Sequence, residues 1–194
     1  VGLLAQVKPG ETWWDVCAGA GGKSLHLLDQ LSGSGRVLAT DIRSAALDEF
    51  ARRARAAGFN GWKTQLLPDD PEAWPLKQQF DGILLDAPCS GTGTWGRSPD
   101  ARWRTPATAG TDQATRQRAL LHAALRHLKP GGRLVYAVCS LTRAELEGVL
   151  TNLPVASLSP LSHPLRPSAP RTTTLRIYPH DGPGIGMSMA IIST

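Results

Sequence analysis

The sequence predicts an α/β fold built on a mostly parallel, doubly wound sheet. Two observations carry this. Apolar, strand-like runs alternate with helical segments five times along the chain. The residues able to do chemistry, Cys17, Asp41, Asp69, Asp86, Cys89 and Cys139, all fall just beyond the end of a predicted strand. In open parallel sheets that is where ligands sit.

Taken in order, Val1 to Val7 is a short apolar lead-in, read as the end of a helix, before the turn Lys8-Pro9-Gly10-Glu11. Thr12 to Cys17 reads as the first strand, Ala18 to Gly22 as a glycine-rich loop and Lys23 to Leu31 as a helix. Arg36 to Thr40 is the second strand, closing on Asp41. Ser44 to Ala57 is a helix with arginines on one face and Gly58 as its stop. Trp62 to Leu67 is the third strand and Phe80 to Leu85 the fourth. Gly96 to Gly110 reads as irregular. Leu120, Leu121, Ala124, Leu125 and Leu128 recur at helical spacing, which predicts a helix over Gln113 to Leu128. The turn Lys129-Pro130-Gly131-Gly132 feeds a fifth strand, Arg133 to Val138, ending at Cys139; Arg143 to Leu150 is a short helix. Thr151 to Arg171 is rich in proline and serine and reads as a loop, with Thr173 to Tyr178 and Gly186 to Ile192 as two closing strands.

Bulk properties bound the function. The 194 residues suffice for one domain with a substantial core, and the expectation is a single domain over the whole chain. No apolar run approaches the roughly 20 residues of a membrane span, and no signal peptide is visible. The chain opens on Val1, as expected of a fragment of a longer protein. Its formal net charge of +5 suits a polyanionic partner. The 3 cysteines are widely spaced without a Cys-x-x-Cys pair, which argues against a disulfide framework or a structural zinc site and points to a reducing compartment. The 5 histidines lack ligand spacing, so no metal is expected.

The densest chemistry lies in Asp86-Ala87-Pro88-Cys89-Ser90-Gly91-Thr92-Gly93. It places a carboxylate and a thiol at the exit of an apolar strand, with two glycines to turn the chain. Upstream, Asp15-Val16-Cys17-Ala18-Gly19-Ala20-Gly21-Gly22 puts Gly-x-Gly directly after a strand, and Asp41 ends the next strand. Such glycines let a ligand approach the backbone, and such an acid holds a ribose diol. Gly22-Lys23-Ser24 resembles the tail of a P-loop, with Ile83 to Asp86 as its magnesium strand. The glycine that a P-loop needs is replaced by Cys17, however. The third glycine of a dinucleotide oxidoreductase is also missing. S-Adenosylmethionine fits better, since it needs the glycine loop and the ribose acid but no pyrophosphate cradle.

If the fourth and fifth strands are neighbours, Cys89 and Cys139 emerge side by side, with strands about 5 Å apart. One thiolate can then attack an electron-poor ring carbon while Asp86 hydrogen-bonds the ring. Two buried structural cysteines, or a redox pair, are the other readings of the same placement.

Nearly the whole chain resembles the RNA cytosine-5 methyltransferases of the Sun/Fmu type. The motifs that carry the likeness are Asp15 to Lys23, the octet Asp86 to Gly93, Pro99-Asp100-Ala101-Arg102-Trp103-Arg104, Leu128 to Gly132, and Tyr136-Ala137-Val138-Cys139-Ser140. The resemblance implies a Rossmann-like, S-adenosylmethionine-dependent methyltransferase fold with an antiparallel closing strand. It implies that Cys17, Ala18, Gly19, Ala20, Gly21, Gly22, Lys23 and Asp41 hold the donor, with Asp69 or Asp70 at its adenine end and Asp86 near its methyl group. Cys139 is then the nucleophile towards carbon 6 of a flipped cytosine, and Cys89 assists product release. The implied partner is RNA, ribosomal rather than transfer, in the cytoplasm; the arginines from Arg97 to Arg104 are candidate phosphate contacts. The chain departs from the family at Gly19-Ala20, where Ala-Pro is usual, at Val138, where threonine is usual, and at Gly186-Met187-Ser188, where Gly-Phe-Phe is usual. No separate RNA-binding domain is visible. The alternative from a different class is a non-catalytic RNA- or nucleotide-binding module descended from this fold.

Overall fold

The alternation of strand and helix is realised in the computed structural model of the chain, which describes residues 1–151, 153, 157–182 and 184–194. The chain divides into two units: Val1–Asp86 with Ala123–Val135 and Thr194, and Ala87–His122 with Tyr136–Ser193.

The first unit contains β1 (Thr12–Asp15), α1 (Gly22–Gln30), β2 (Arg36–Asp41), α2 (Ser44–Ala56), β3 (Trp62–Leu66), β4 (Phe80–Asp86) and the greater part of β5 (Leu128–Val138). The strand order is β3-β2-β1-β4-β5. β1 runs parallel to both neighbours, with Trp13 opposite Val37 on β2 and Gly82 on β4, and β2 runs parallel to β3. Strands covered on both faces have few polar residues, and Trp13, Trp14, Ile83, Leu84 and Leu85 are all fully buried. Gly82 is the residue that admits Trp13: a Cβ there would lie 2.3 Å from the indole ring. Trp14 stacks on Phe80 with centroids 5.4 Å apart, and its indole N–H donates to Thr40 Oγ1 at 2.9 Å. Burying each tryptophan contributes about 4–6 kcal/mol. On α2, Leu47, Phe50, Ala51 and Ala54 are buried, the spacing of one helix face.

The second unit contains α3 (Ala101–Arg104), most of α4 (Ala109–Leu125), the end of β5, α5 (Glu147–Leu150), β6 (Ser157–Leu158), β7 (Leu175–Ile177) and β8 (Met187–Ser193). β8 neighbours β5 and pairs antiparallel with both β6 and β7. The expected antiparallel closing strand is therefore present.

Several boundaries differ from the sequence reading, each for a physical reason. The helix expected over Gln113 to Leu128 starts at Ala109 and stops at Leu125. The backbone N–H of Phe80 donates to His127 O at 2.8 Å, and the following residues, including Lys129 to Gly132, join β5 instead of forming a turn. The Gly96 to Gly110 stretch holds α3, whose last turn is closed by the Thr105 hydroxyl donating to Ala101 O at 2.7 Å. The helix expected from Arg143 shrinks to Glu147–Leu150, because Leu146 takes φ −122° and ψ −80°. The lead-in forms a one-turn 3-10 helix at Gly2–Ala5. The loop expected from Thr151 to Arg171 carries β6, while Asn152 and Pro154 to Ala156 lie outside the described residues. Among the described residues no helix is long and apolar enough to cross a membrane.

Candidate active site

The first unit carries a candidate ligand loop in the turn that follows β1. Val16 N–H donates to Leu84 O and Ala18 N–H to Thr40 O, both at 2.9 Å, which ties the loop to the ends of β4 and β2. Gly19 and Gly21 take left-handed φ of 55° and 79°. At Gly21 a side chain is also excluded by space, since a Cβ would lie 2.0 Å from the Phe50 ring. This turn aims the start of α1 so that Lys23 Nζ meets Asp86 Oδ2 at 2.5 Å. Asp15, Cys17, Ala18, Gly22, Lys23 and Asp86 line a cavity of about 210 Å³. Of the expected donor residues, five line it; Gly19, Ala20 and Gly21 shape the loop without lining it.

Asp15 was missed by the sequence reading. It lies on an apolar strand between Trp14 and Val16, a setting in which a carboxylate needs a reason. The Ser24 hydroxyl donates to Oδ2 at 2.6 Å, and Oδ1 has no hydrogen-bond partner among the described residues. Burial, against that one hydrogen bond and with the Asp86 charge nearby, pushes its pKa up to about 7.

Asp41 ends β2. Its carboxylate accepts from Gly19 N–H at 2.8 Å and takes the Arg43 guanidinium in two bonds, at 3.0 and 3.2 Å. Burial works to raise its pKa, but the bonds from Arg43 and Gly19 outweigh it and keep Asp41 ionised below the usual carboxylate range. Asp41 does not line the cavity. Asp69 and Asp70 follow β3 and are exposed. Asp70 is used locally: its carboxylate accepts from Glu72 N–H at 3.0 Å and caps the one-turn helix Pro71–Ala73.

The second unit holds the thiols. β4 and β5 are neighbours, as the paired emergence of the cysteines requires, and Ala87 N–H donates to Ala137 O at 3.0 Å. Cys89 Sγ and Cys139 Sγ lie 3.1 Å apart, and neither is in a disulfide. The contact with Cys139, then burial, push the Cys89 thiol far up; either sulfur can be the donor in that contact.

Around the pair is a buried polar network that the sequence reading did not find. Glu145 is fully buried. Its Oε1 accepts from Ser90 N–H at 2.8 Å and from the Gln117 amide at 3.0 Å. Its Oε2 accepts from the hydroxyls of Ser90, Ser140 and Thr142. Burial alone would raise its pKa; the bonds from Ser140, Ser90 and Gln117 reverse that and hold it below the usual range. The Tyr136 hydroxyl donates to Glu145 O at 2.7 Å and lies 2.9 Å from Gln117 Oε1. The Gln117 amide also donates to Pro88 O at 2.8 Å, just before Cys89. Arg102 lies over the rings of Trp95 and Trp103, at 5.9 and 5.5 Å, and Trp103 is 83% exposed.

The first unit thus offers a glycine loop and a cavity lined by two acids and a lysine, and the second offers two thiols in contact. Comparison with known proteins is consistent with this chemistry. A sequence profile of the family described as 16S rRNA methyltransferase RsmB/F matches residues 2–192. The ribosomal RNA small subunit methyltransferase B of Klebsiella pneumoniae subsp. pneumoniae is 37% identical over 172 residues, covering 86% of this chain and 40% of the relative. The chain thus spans about two-fifths of the length of that curated relative. Among solved structures, the protein titled PH0851 superposes with a TM-score of 0.89 at 32% identity, over 100% of this chain and 44% of its own. NSun6 from Pyrococcus horikoshii, solved with SFG, gives a TM-score of 0.85 at 25% identity, over 99% of this chain and 50% of its own.

Proposed function

The chain belongs to the RsmB/F family of 16S rRNA methyltransferases, and from that premise we propose that it is a single catalytic domain that methylates carbon 5 of cytosine in RNA. The observation that carries this reading is the pair of thiols 3.1 Å apart at the ends of neighbouring strands. S-Adenosylmethionine supplies an electrophilic methyl group when bound. The residues present fit that donor: Asp15, a buried acid whose Oδ1 has no hydrogen-bond partner among the described residues, lines the cavity, and Asp41 presents an ionised carboxylate for a ribose diol. The relative solved with SFG, an S-adenosylmethionine analogue, supports the same choice.

In this reading Cys17 to Lys23 and Asp41 hold the donor, with Asp69 at the adenine end. Cys139 as thiolate adds to carbon 6 of a cytosine taken out of its stack, and carbon 5 becomes nucleophilic. Asp86 hydrogen-bonds the ring and steadies the charge that develops on it. After methylation Cys89 promotes loss of the carbon 5 proton, and the carbon–sulfur bond to Cys139 breaks, freeing the product. The names of the relatives favour ribosomal over transfer RNA, and the place of action is the cytoplasm.

The test has two parts. S-Adenosylmethionine titrated into the protein should bind with a Kd in the micromolar range; no heat and no thermal shift would overturn the enzymatic reading in favour of a non-catalytic RNA-binding module, which the Gly19-Ala20 departure favours. With RNA present, Cys139→Ala should abolish methylation and adducts, whereas Cys89→Ala should accumulate a covalent protein–RNA adduct. Methylation by Cys139→Ala would refute the choice of nucleophile.

A further inference from the structure

We infer that Glu145 is a positioning residue that sets the relation between the two catalytic thiols by clamping the residue that follows each of them. The inference rests on the cytosine-5 methyltransferase reading for its catalytic meaning and on geometry for its substance. Ser90 follows Cys89 in the chain and Ser140 follows Cys139. One carboxylate oxygen, Glu145 Oε2, accepts from both of these hydroxyls, and Oε1 accepts in addition from Ser90 N–H. A single buried atom therefore ties together two segments 50 residues apart in sequence, and the two sulfurs come to 3.1 Å.

Other bonds fix the clamp in turn. Gln117 donates both to Glu145 Oε1 and to Pro88 O, so the residue before Cys89 is tied to the same carboxylate as the residue after it. The Tyr136 hydroxyl reads the Glu145 backbone at 2.7 Å. Thr92 and Ser140 share a hydroxyl contact at 3.2 Å, and Leu141 N–H donates to Thr92 Oγ1 at 2.9 Å. The carboxylate's role is not to activate a thiol. A negative charge raises the pKa of nearby thiols, and the Glu145 charge does add to the upward push on Cys89. A fully buried carboxylate is costly, and its cost is offset here by five donors that all belong to the frame of the thiols. Glu145 acts through Ser90 and Ser140.

Glu145→Gln keeps the shape but sets an NH₂ group against hydroxyls that now donate. Ser140→Ala removes one arm of the clamp and leaves the carboxylate. Two readouts are needed. The first uses protein without RNA: oxidation of the dithiol by diamide, which takes up the two thiol hydrogens as the Cys89–Cys139 bond forms, followed by mass spectrometry. Its rate reports the approach of the sulfurs. Glu145→Gln should slow it about tenfold, and Ser140→Ala by a smaller factor in the same direction. The second is methylation, where kcat should fall roughly 10- to 100-fold in Glu145→Gln, as expected for a misplacement near 1 Å, while KM for S-adenosylmethionine stays within about twofold. If Glu145→Gln does not fold, Ser140→Ala decides alone. A folded variant with wild-type oxidation rate and kcat overturns the inference, as does a kcat loss that follows a fall in melting temperature with the oxidation rate unchanged. If the wild type fails to methylate while the oxidation rates still separate, the clamp stands and the methyltransferase reading falls.

Discussion

Asp15 gives a prediction that can be worked through in numbers. Its carboxyl titrates near 7 in the folded protein against an ordinary value of 3.8. The folded state therefore holds this proton more tightly than the unfolded chain does. Between those two values the unfolded state binds fewer protons, so stability falls as pH rises, by about 1.36 kcal/mol per unit. The contribution is complete at low pH, declines through the window and is gone above the folded value. From pH 5 to pH 8 the loss comes to about 3 kcal/mol, and for a chain of this size that corresponds to roughly 6–12 °C in melting temperature. Asp15→Asn cannot ionise. It retains the acceptor for the Ser24 hydroxyl and leaves one polar atom without a partner, as the wild type does. The stability of Asp15→Asn minus that of the wild type should therefore rise by about 3 kcal/mol between pH 5 and pH 8. Urea denaturation followed by fluorescence of the buried Trp13 and Trp14, at four pH values, measures it. Other titrating groups cancel in the difference. Curves that stay parallel within about 0.5 kcal/mol, inside ordinary error for such extrapolations, would refute the assignment.

Three further outcomes follow from the same geometry. A cationic ligand entering the cavity should pull the Asp15 pKa down, so titration of S-adenosylmethionine at pH 6 in buffers of different ionisation enthalpy should report proton release; Asp15→Asn should abolish it. Gly21→Ala forces a side chain into a φ of 79° and against Phe50, and should cost about 2–4 kcal/mol in a denaturant melt. Asp41→Asn should weaken S-adenosylmethionine by roughly 10- to 100-fold. Arg43→Ala, which removes an exposed competitor for that carboxylate, should leave binding unchanged or tighten it by at most about fivefold in calorimetry.

The order of strands and helices could be read from the sequence because burial on both faces leaves few polar residues in a parallel strand, and Ile83 to Leu85 has none. The boundary between α4 and β5 was set by a partner distant in sequence. Leu128 looks like the last apolar residue of a helix until the Phe80–His127 hydrogen bond draws the chain into β5. The closing strands were legible in type but displaced by one or two residues, since their limits depend on where β6 and β7 meet β8. The cysteine pair was the part of the site most open to sequence reasoning. Strand adjacency alone brings Cys89 and Cys139 together, and the motifs had already placed each at a strand end.

The two buried carboxylates show where such reasoning stops. Asp15 and Glu145 are both inaccessible, so burial penalises the charged form of each. Their pKa values nevertheless move in opposite directions. What separates them is the number of donors. Asp15 has one hydroxyl and an oxygen left over. Glu145 has the Ser90 amide, the Gln117 amide and three hydroxyls. A sequence can show that an acid stands beside apolar residues, as Asp15 does between Trp14 and Val16, and so flag it for attention. It does not show which distant serines and amides will converge on it, and that convergence decides whether the group holds a proton ready for exchange or holds its charge as an anchor. Asp15 lines the cavity with one oxygen left over among the described residues, whereas Glu145 is committed to the residues that follow the two thiols.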